Sequence, residues 1–300
     1  MKHLFPSDIL LAADLLKEGV NVAFPTETVY GLGARVFDVK AVENIFRMKG
    51  RPSDNPLICH IAELGEIYLL AREVPEEALK LAEKFWPGPL TIILKKQEAV
   101  PSCVTGGHDT VAIRMPRHPI ALELIKLVGE PLVAPSANKS GRPSSTTAAH
   151  VLNDFEEMEG AVIDGGATEE GIESTVLYLA GEKPVILRPG VITQDQIAEV
   201  LGCAVEIGSQ QHASPGTRYR HYSPKAKIQL FSSFEEVAAS SAKRFLMSTE
   251  KHPSFHHMTS ATLYALLRQA DDEGCEEIIA VYSDLDEGLK DRLLRAAGAR

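Results

Sequence analysis

The stretch SDILLAADLLKEGVNVAFPTETVYGLG, residues 7–33, decides the fold class. Ile9, Leu10, Ala13 and Leu16 recur at helical spacing, Ser7 or Asp8 serves as N-cap and Gly19 ends the run, so a helix is predicted over residues 7–18. Val20 to Phe24 form a short apolar run that breaks at Pro25, which reads as a buried strand followed by a loop. The alternation continues outward. Apolar runs at 57–61, 90–95, 111–115, 131–134, 161–163, 175–179 and 185–188 have strand length, most of them bounded by Gly or Pro. Helical patterns at 40–49, 76–86, 119–128, 147–158 and 193–201 lie between many of them. This pattern predicts an α/β domain over residues 1–207 with a twisted mixed sheet, because some connections are too short for helical crossovers.

From Gly208 the chain reads GSQQHASPGTRYRHYSP, without apolar periodicity, and residues 208–225 are expected to form a linker. Arg218, Tyr219, Arg220, His221 and Tyr222 give it cations and aromatic faces suited to docking as an ordered lid. Beyond it, strands at 228–231 and 278–282 and helices at 234–245, 261–273 and 285–297 predict a small C-terminal α/β, Rossmann-like domain over residues 226–300.

Composition narrows the class. With 44% apolar and 24% charged residues the chain is neither disordered nor fibrous. Its 41 acidic against 31 basic side chains give a net charge of −10, which opposes nonspecific polynucleotide binding. The N-terminus lacks an export signal and no apolar run is long enough for a membrane helix, so a cytoplasmic protein is expected. Cys59, Cys103, Cys203 and Cys275 show no C-x-x-C spacing, and His252, His256 and His257 read as a solvated loop, so no protein-held metal site is expected.

The chemistry concentrates in loops near the strand ends: PTETVYG at 25–31, MKGRPSDNP at 48–56, IRMPRHP at 113–119, APSANKSGRPSS at 134–145, GIESTV at 171–176 and LRPG at 187–190. In open α/β folds such loops converge on the ligand crevice. Lys49, Arg51, Arg114, Lys139, Arg142 and Arg188 bring positive charge, and Thr26, Thr28, Asn55, Ser136, Asn138, Thr146 and Ser174 bring short-range donors and acceptors, a set suited to a polyanion. Ser144 and Ser145 are equally suited to capping the helix that starts near Thr147. Glu27 and Glu173 are expected to orient backbone amides or arginines. There is no G-x-x-x-x-G-K-[ST], and GLGA at 31–34 does not complete G-x-G-x-x-G. Ser136 to Lys139 fits S-x-x-K, but the companion serine-enzyme elements are misordered or absent.

Taken together, FPTETVYGLG, KGRPSDNPLICHI, FWPGPLT, DTVAIRMP, PSANKSGRPS, GIESTV and LRPG resemble the YrdC-like threonylcarbamoyl-AMP synthase family, over residues 7–207. SPGTRYRHYSP and the small domain after it resemble the two-domain branch of that family. The resemblance implies condensation of L-threonine, bicarbonate and ATP into threonylcarbamoyl-adenylate and pyrophosphate, the precursor of N6-threonylcarbamoyladenosine at position 37 of tRNA. It implies a threonine site of Thr28, His60, Arg114, Ser136 and Ser174, with Arg114 at the carboxylate. It implies an ATP site of Arg51, Asn55, Thr110, Asn138, Thr146 and Arg188, with Lys49 beside the phosphates and Tyr222 closing from the linker. Lys49 and Arg51 would position phosphates, and His60 is open between a general base and a neutral hydrogen-bonding group. Mg2+ would be carried mainly by ATP phosphates and water. The implied partners are small-molecule substrates and a transient contact with the tRNA threonylcarbamoyl-transfer machinery, without membrane or stable tRNA binding. Leu177-Tyr178 departs from the family, where an aspartate is common, and the final domain is short.

Two other readings remain. Arg218, Arg220, Lys225 and the interleaved Tyr219 and Tyr222 suit a noncatalytic RNA-binding or translation-associated factor, against which the net acidity weighs. A carbamoyl-phosphate-using enzyme of the same fold would carry acylphosphatase-like and cysteine-rich segments that this sequence lacks.

Overall fold

The computed structural model describes residues 1–208, 221–283 and 285–298. In chain order the first eleven strands are β1 (Lys2–Leu4), β2 (Val22–Phe24), β3 (Gly31–Arg35), β4 (Ile58–His60), β5 (Leu90–Lys95), β6 (Thr110–Arg114), β7 (Leu132–Val133), β8 (Ala161–Ile163), β9 (Thr175–Tyr178), β10 (Val185–Arg188) and β11 (Glu206–Ile207). They form one sheet in the order β1-β8-β2-β3-β7-β4-β6-β5-β9-β10-β11. The sheet is mixed, as the short connections require. Residues 25–30 cannot make a crossover, so β2 and β3 pair antiparallel, whereas β4 and β6, separated by helices, pair parallel.

The pleat assigns each strand residue to a face. Val22, Phe24 and Ile163 lie under the helices Ile9–Lys17 and Pro119–Val128, which contribute Ala12, Leu16, Leu124 and Ile125. Ala23, Cys59 and Ile92 face the opposite layer, where Val42, Ile45, Leu81, Phe155 and Ile197 come from helices at Val39–Lys49, Glu76–Phe85, Ala148–Phe155 and Gln194–Leu201. Ile58, Ile93, Ala112, Val176 and Leu187 form a separate apolar cluster on β4, β5, β6, β9 and β10, and Ile58 reaches the cleft described below.

The second sheet is wholly parallel, in the order β12-β15-β13-β14, from β12 (Lys227–Phe231), β13 (Arg244–Ser248), β14 (His256–His257) and β15 (Glu277–Val281). Two helices are described in this unit, αX (Leu263–Asp272) and αY (Glu287–Ala297). Their residues Leu263, Leu267, Leu289 and Leu293 pack with Ile228, Phe245, Met247 and Ile278, and the same core takes in Val29, Ile172 and Tyr222.

One expectation needs correction, and one strand was not predicted. Residues 234–245 are not a helix: Phe234–Glu236 make one 3-10 turn, and the chain then enters β13 at Arg244. Glu236 folds back on the Ser232 amide and hydroxyl, and Ala238 to Ser241 offer no large apolar group with which a helix could bury a face. GLGAR, not predicted as a strand, is β3. Its glycines serve close packing, since a Cβ at Gly33 would lie 2.8 Å from the Phe24 ring and 2.9 Å from the Val22 carbonyl.

Candidate active site

Parallel register sets His60 at the end of β4 beside Arg114 at the end of β6. The loop after β2 locks onto them. Thr26 Oγ1 accepts the Val29 amide at 3.2 Å and contacts Thr28 Oγ1 at 2.8 Å, which shapes the turn. Arg114 Nη1 donates to Thr28 Oγ1 at 2.8 Å, and its Nε donates to the Gly88 carbonyl at 3.2 Å. Its Nη2 lies 2.7 Å from Glu27 Oε1, an ion contact without hydrogen-bond alignment, while Glu27 Oε2 accepts the Arg117 amide at 3.0 Å. Burial alone would raise the Glu27 carboxyl, but the Arg114 charge and the hydrogen bonds outweigh it and hold the group below its ordinary value.

His60 is buried, with Nδ1 3.2 Å from the Ile58 carbonyl. A carbonyl only accepts, so this bond requires the proton on Nδ1 and leaves Nε2 as an acceptor. Burial, aided by Arg114, pushes the His60 pKa down to about 3. The ring is therefore neutral near pH 7 and a weak base.

A second part of the lining comes from residues 173–174 and 188. Arg188 Nε and Nη2 donate to the Ser174 carbonyl at 3.1 and 3.0 Å, Nη2 also reaches Ser174 Oγ at 3.1 Å, and that hydroxyl contacts Thr91 Oγ1 at 2.7 Å. Arg51 donates to the Pro56 carbonyl at 2.9 Å, and burial lowers its pKa to about 10, which leaves it charged at neutral pH. Tyr222 has φ of 62°, a left-handed conformation that few side chains adopt, and is buried with its ring 5.3 Å from Tyr264.

Thr28, Arg51, His60, Arg114, Ser136, Ser174, Arg188 and Tyr222 thus line one cleft, as the sequence reading grouped them. Lys49 stands behind it. Its Nζ donates to the Ser136 and Asn138 carbonyls, both at 2.5 Å, so it staples the PSANKS loop, and burial followed by the nearby Arg51 charge pulls its pKa well below the usual lysine value. Asn55 is buried with both amide atoms unpartnered, as is Asn138 Oδ1, so each retains capacity for a ligand. Thr146 contacts His150 at 3.4 Å, and Thr110 opens β6 at the strand's far end from Arg114. Arg142 turns away to Asp154 at 2.6 Å. Ser144 donates to Glu173, Ser145 to the Ala137 carbonyl, and Thr147 caps the helix instead.

Two titratable lining residues escaped the sequence reading as site groups. Glu173 is the carboxylate of the lining; burial would raise it, but Arg292 and Arg188 hold its pKa at about 2. His221 places a buried, unpartnered Nε2 at the cleft and is pushed to about 3 by burial and then by Arg51. Its neighbour Tyr222 was the available signal. Arg218, Tyr219 and Arg220, and with them most of the expected lid, lie outside the described residues.

A family model described as telomere recombination, that of the Sua5, YciO and YrdC proteins, matches residues 14–190, and one described as the C-terminal domain of threonylcarbamoyl-AMP synthase matches residues 192–298. The chain belongs to the threonylcarbamoyl-AMP synthase family, in its two-domain form. The threonylcarbamoyl-AMP synthase of Bacillus subtilis is 42% identical over 97% of this chain and 93% of its own length. That of Pyrococcus abyssi is 54% identical over 73% of this chain and 66% of its own length. The crystal structure of P. abyssi Sua5 complexed with L-threonine superposes with a TM-score of 0.90 at 40% identity, covering 100% of this chain and 98% of that one. Family membership makes the chain a nucleotidyltransferase-type enzyme of tRNA N6-threonylcarbamoyladenosine synthesis.

Proposed function

We propose that the cleft condenses L-threonine, bicarbonate and ATP by holding threonine on the Thr28, His60, Arg114, Ser136 and Ser174 side and ATP on the side of Arg51, Arg188 and Tyr222. The observation that carries this division is the pair of arginine-bearing walls, which meet at Ser174: Arg114 is fixed by Glu27 and Thr28, and Arg188 by Ser174. Asn55, Asn138, Thr110 and Thr146 extend the ATP side, and Lys49 acts through the loop it staples.

The threonine amine, once deprotonated, attacks bicarbonate to give a carbamate and water. A carbamate oxygen then attacks the α-phosphate and pyrophosphate leaves. Neutral His60 is unsuited to take a proton from an ammonium group but suited to accept a hydrogen bond at Nε2. Arg51 and Arg188 stay fixed where charge develops on the phosphates, and holding the reactants together supplies roughly 7–11 kcal/mol of the barrier reduction. The residues do not form a magnesium cage: Glu173, the carboxylate among the described lining residues, is already engaged by Ser144, Tyr264 and Arg292. Mg2+ in this reading travels with ATP, on phosphate oxygens and water.

The product goes to the tRNA threonylcarbamoyl-transfer machinery by transient contact, in the cytoplasm, and the net charge of −10 disfavours stable tRNA binding. No described helix is long and apolar enough to cross a membrane. Substituting one wall at a time tests the division. Arg114→Lys keeps a charge beside Glu27 but loses the planar fork, and should raise KM for threonine on the order of 10- to 100-fold while KM for ATP stays within a fewfold. Equal effects on both substrates would refute it.

A further inference from the structure

Two side chains of the C-terminal unit meet beneath the cleft. Arg292 on αY is fully buried; its Nε donates to Glu173 Oε2 at 2.8 Å and its Nη2 to the Glu173 carbonyl at 3.3 Å. Tyr264 on αX donates its hydroxyl to the same Oε2 at 2.9 Å, and Ser144 occupies Oε1 at 2.6 Å. Tyr264 also stacks on Tyr222, and the Arg292 guanidinium lies 5.6 Å from the centre of the Tyr222 ring. The residue after Glu173 is Ser174, whose carbonyl and hydroxyl hold Arg188. One buried node therefore touches the root of the Arg188 wall on one side and the residue that closes the cleft on the other.

Stability alone does not account for such a node. A buried ion pair seldom recovers its desolvation cost against an apolar contact of equal volume. What a guanidinium fork and a phenol supply is direction, because each donor fixes its acceptor along a defined line. We propose that Arg292 and Tyr264 are positioning residues for the ATP side of the cleft. They set the Glu173–Ser174 backbone that aligns Arg188, and they seat Tyr222 in its left-handed conformation. The C-terminal unit is then part of the catalytic apparatus rather than an appendage. This inference rests on the assignment of Arg188 and Tyr222 to ATP.

The test compares full-length Arg292→Lys and Tyr264→Phe with the unsubstituted enzyme for kcat, KM for ATP, KM for threonine and thermal midpoint. Lysine keeps the charge beside Glu173 but has no second donor in a fixed plane and no flat face for Tyr222. Phenylalanine keeps the stack and removes only the hydroxyl. KM for ATP should rise about tenfold in Arg292→Lys and about threefold in Tyr264→Phe, in each case more than KM for threonine, whose side shares only Ser174 with the node. A lower thermal midpoint with both KM values unchanged, or an equal rise in both, would make the node a simple domain fastener and overturn the proposal. Should Arg292→Lys fail to fold, Tyr264→Phe decides alone. Arg188→Lys in the same assay separates the two levels. If it leaves KM for ATP unchanged, the ATP assignment fails; if it raises KM while the other two variants do not, only the positioning role fails.

Discussion

His60 shows how far a single residue can be read. The family resemblance marked it in the sequence as a site group, but its protonation state depends on Arg114, Glu27 and the Ile58 carbonyl, which only the folded sheet brings to it. With its pKa near 3 it stays neutral from pH 5 to 8, so no inflection near 6.5 in the pH profile of kcat/KM for threonine belongs to it. His60→Gln, which keeps an acceptor, should retain at least about a tenth of the activity, and an apolar replacement should lose on the order of 100-fold. An inflection near 6.5 that disappears in His60→Gln would restore the general-base role. Thr28 and Arg114 were equally legible as loop hydroxyl and strand-end cation. The Glu27 contact that fixes Arg114 was foreseen only as a type of role, because the two lie 87 positions apart and sequence spacing carries no information about that approach.

At the scale of elements, amphipathic runs such as residues 7–18 and 119–128 were read correctly, since an apolar stripe needs no knowledge of its partner. The β3 segment was not legible. Gly31 and Gly33 depress strand propensity, and only pairing with β2 and β7 makes GLGAR extended. The same geometry gives a prediction: Gly33→Ala places a methyl 2.8 Å from the Phe24 ring and 2.9 Å from the Val22 carbonyl, and should cost about 1–3 kcal/mol in chemical denaturation. Unchanged stability would mean that β2 and β3 are less tightly joined than described. The failed helix at 234–245 has the opposite cause: local propensity favoured it, but Ala238 to Ser241 have no face to bury, while Phe245 and Met247 have a place in the parallel sheet. For the closing element, Tyr222→Ala should weaken ATP use by about tenfold or more, and impair ATP use more than folding, read as KM for ATP against thermal midpoint. Unchanged nucleotide affinity would remove Tyr222 from the site.

Across the whole molecule, buried titratable groups make the fold sensitive to acid. His60 and His221 are held to about 3 and His150 to about 4, all below the ordinary histidine value of 6.5, so below that pH the unfolded chain binds protons that the folded chain refuses. Glu173, held to about 2, adds a contribution that is present above its ordinary 4.5 and is lost as pH falls toward 2. Both signs agree: the thermal midpoint should fall between pH 7 and 5 and fall further below, whereas a rise on acidification would contradict the neutral histidines. The central claim concerns chemistry, and pyrophosphate release tests it most directly. Purified protein with ATP and magnesium, given threonine and bicarbonate together or with either omitted, is assayed for pyrophosphate while rapid mass spectrometry identifies the product. The account predicts release only when both are present, with the mass of threonylcarbamoyl-adenylate; ATP binding by folded protein without that product, or release independent of threonine, would contradict it.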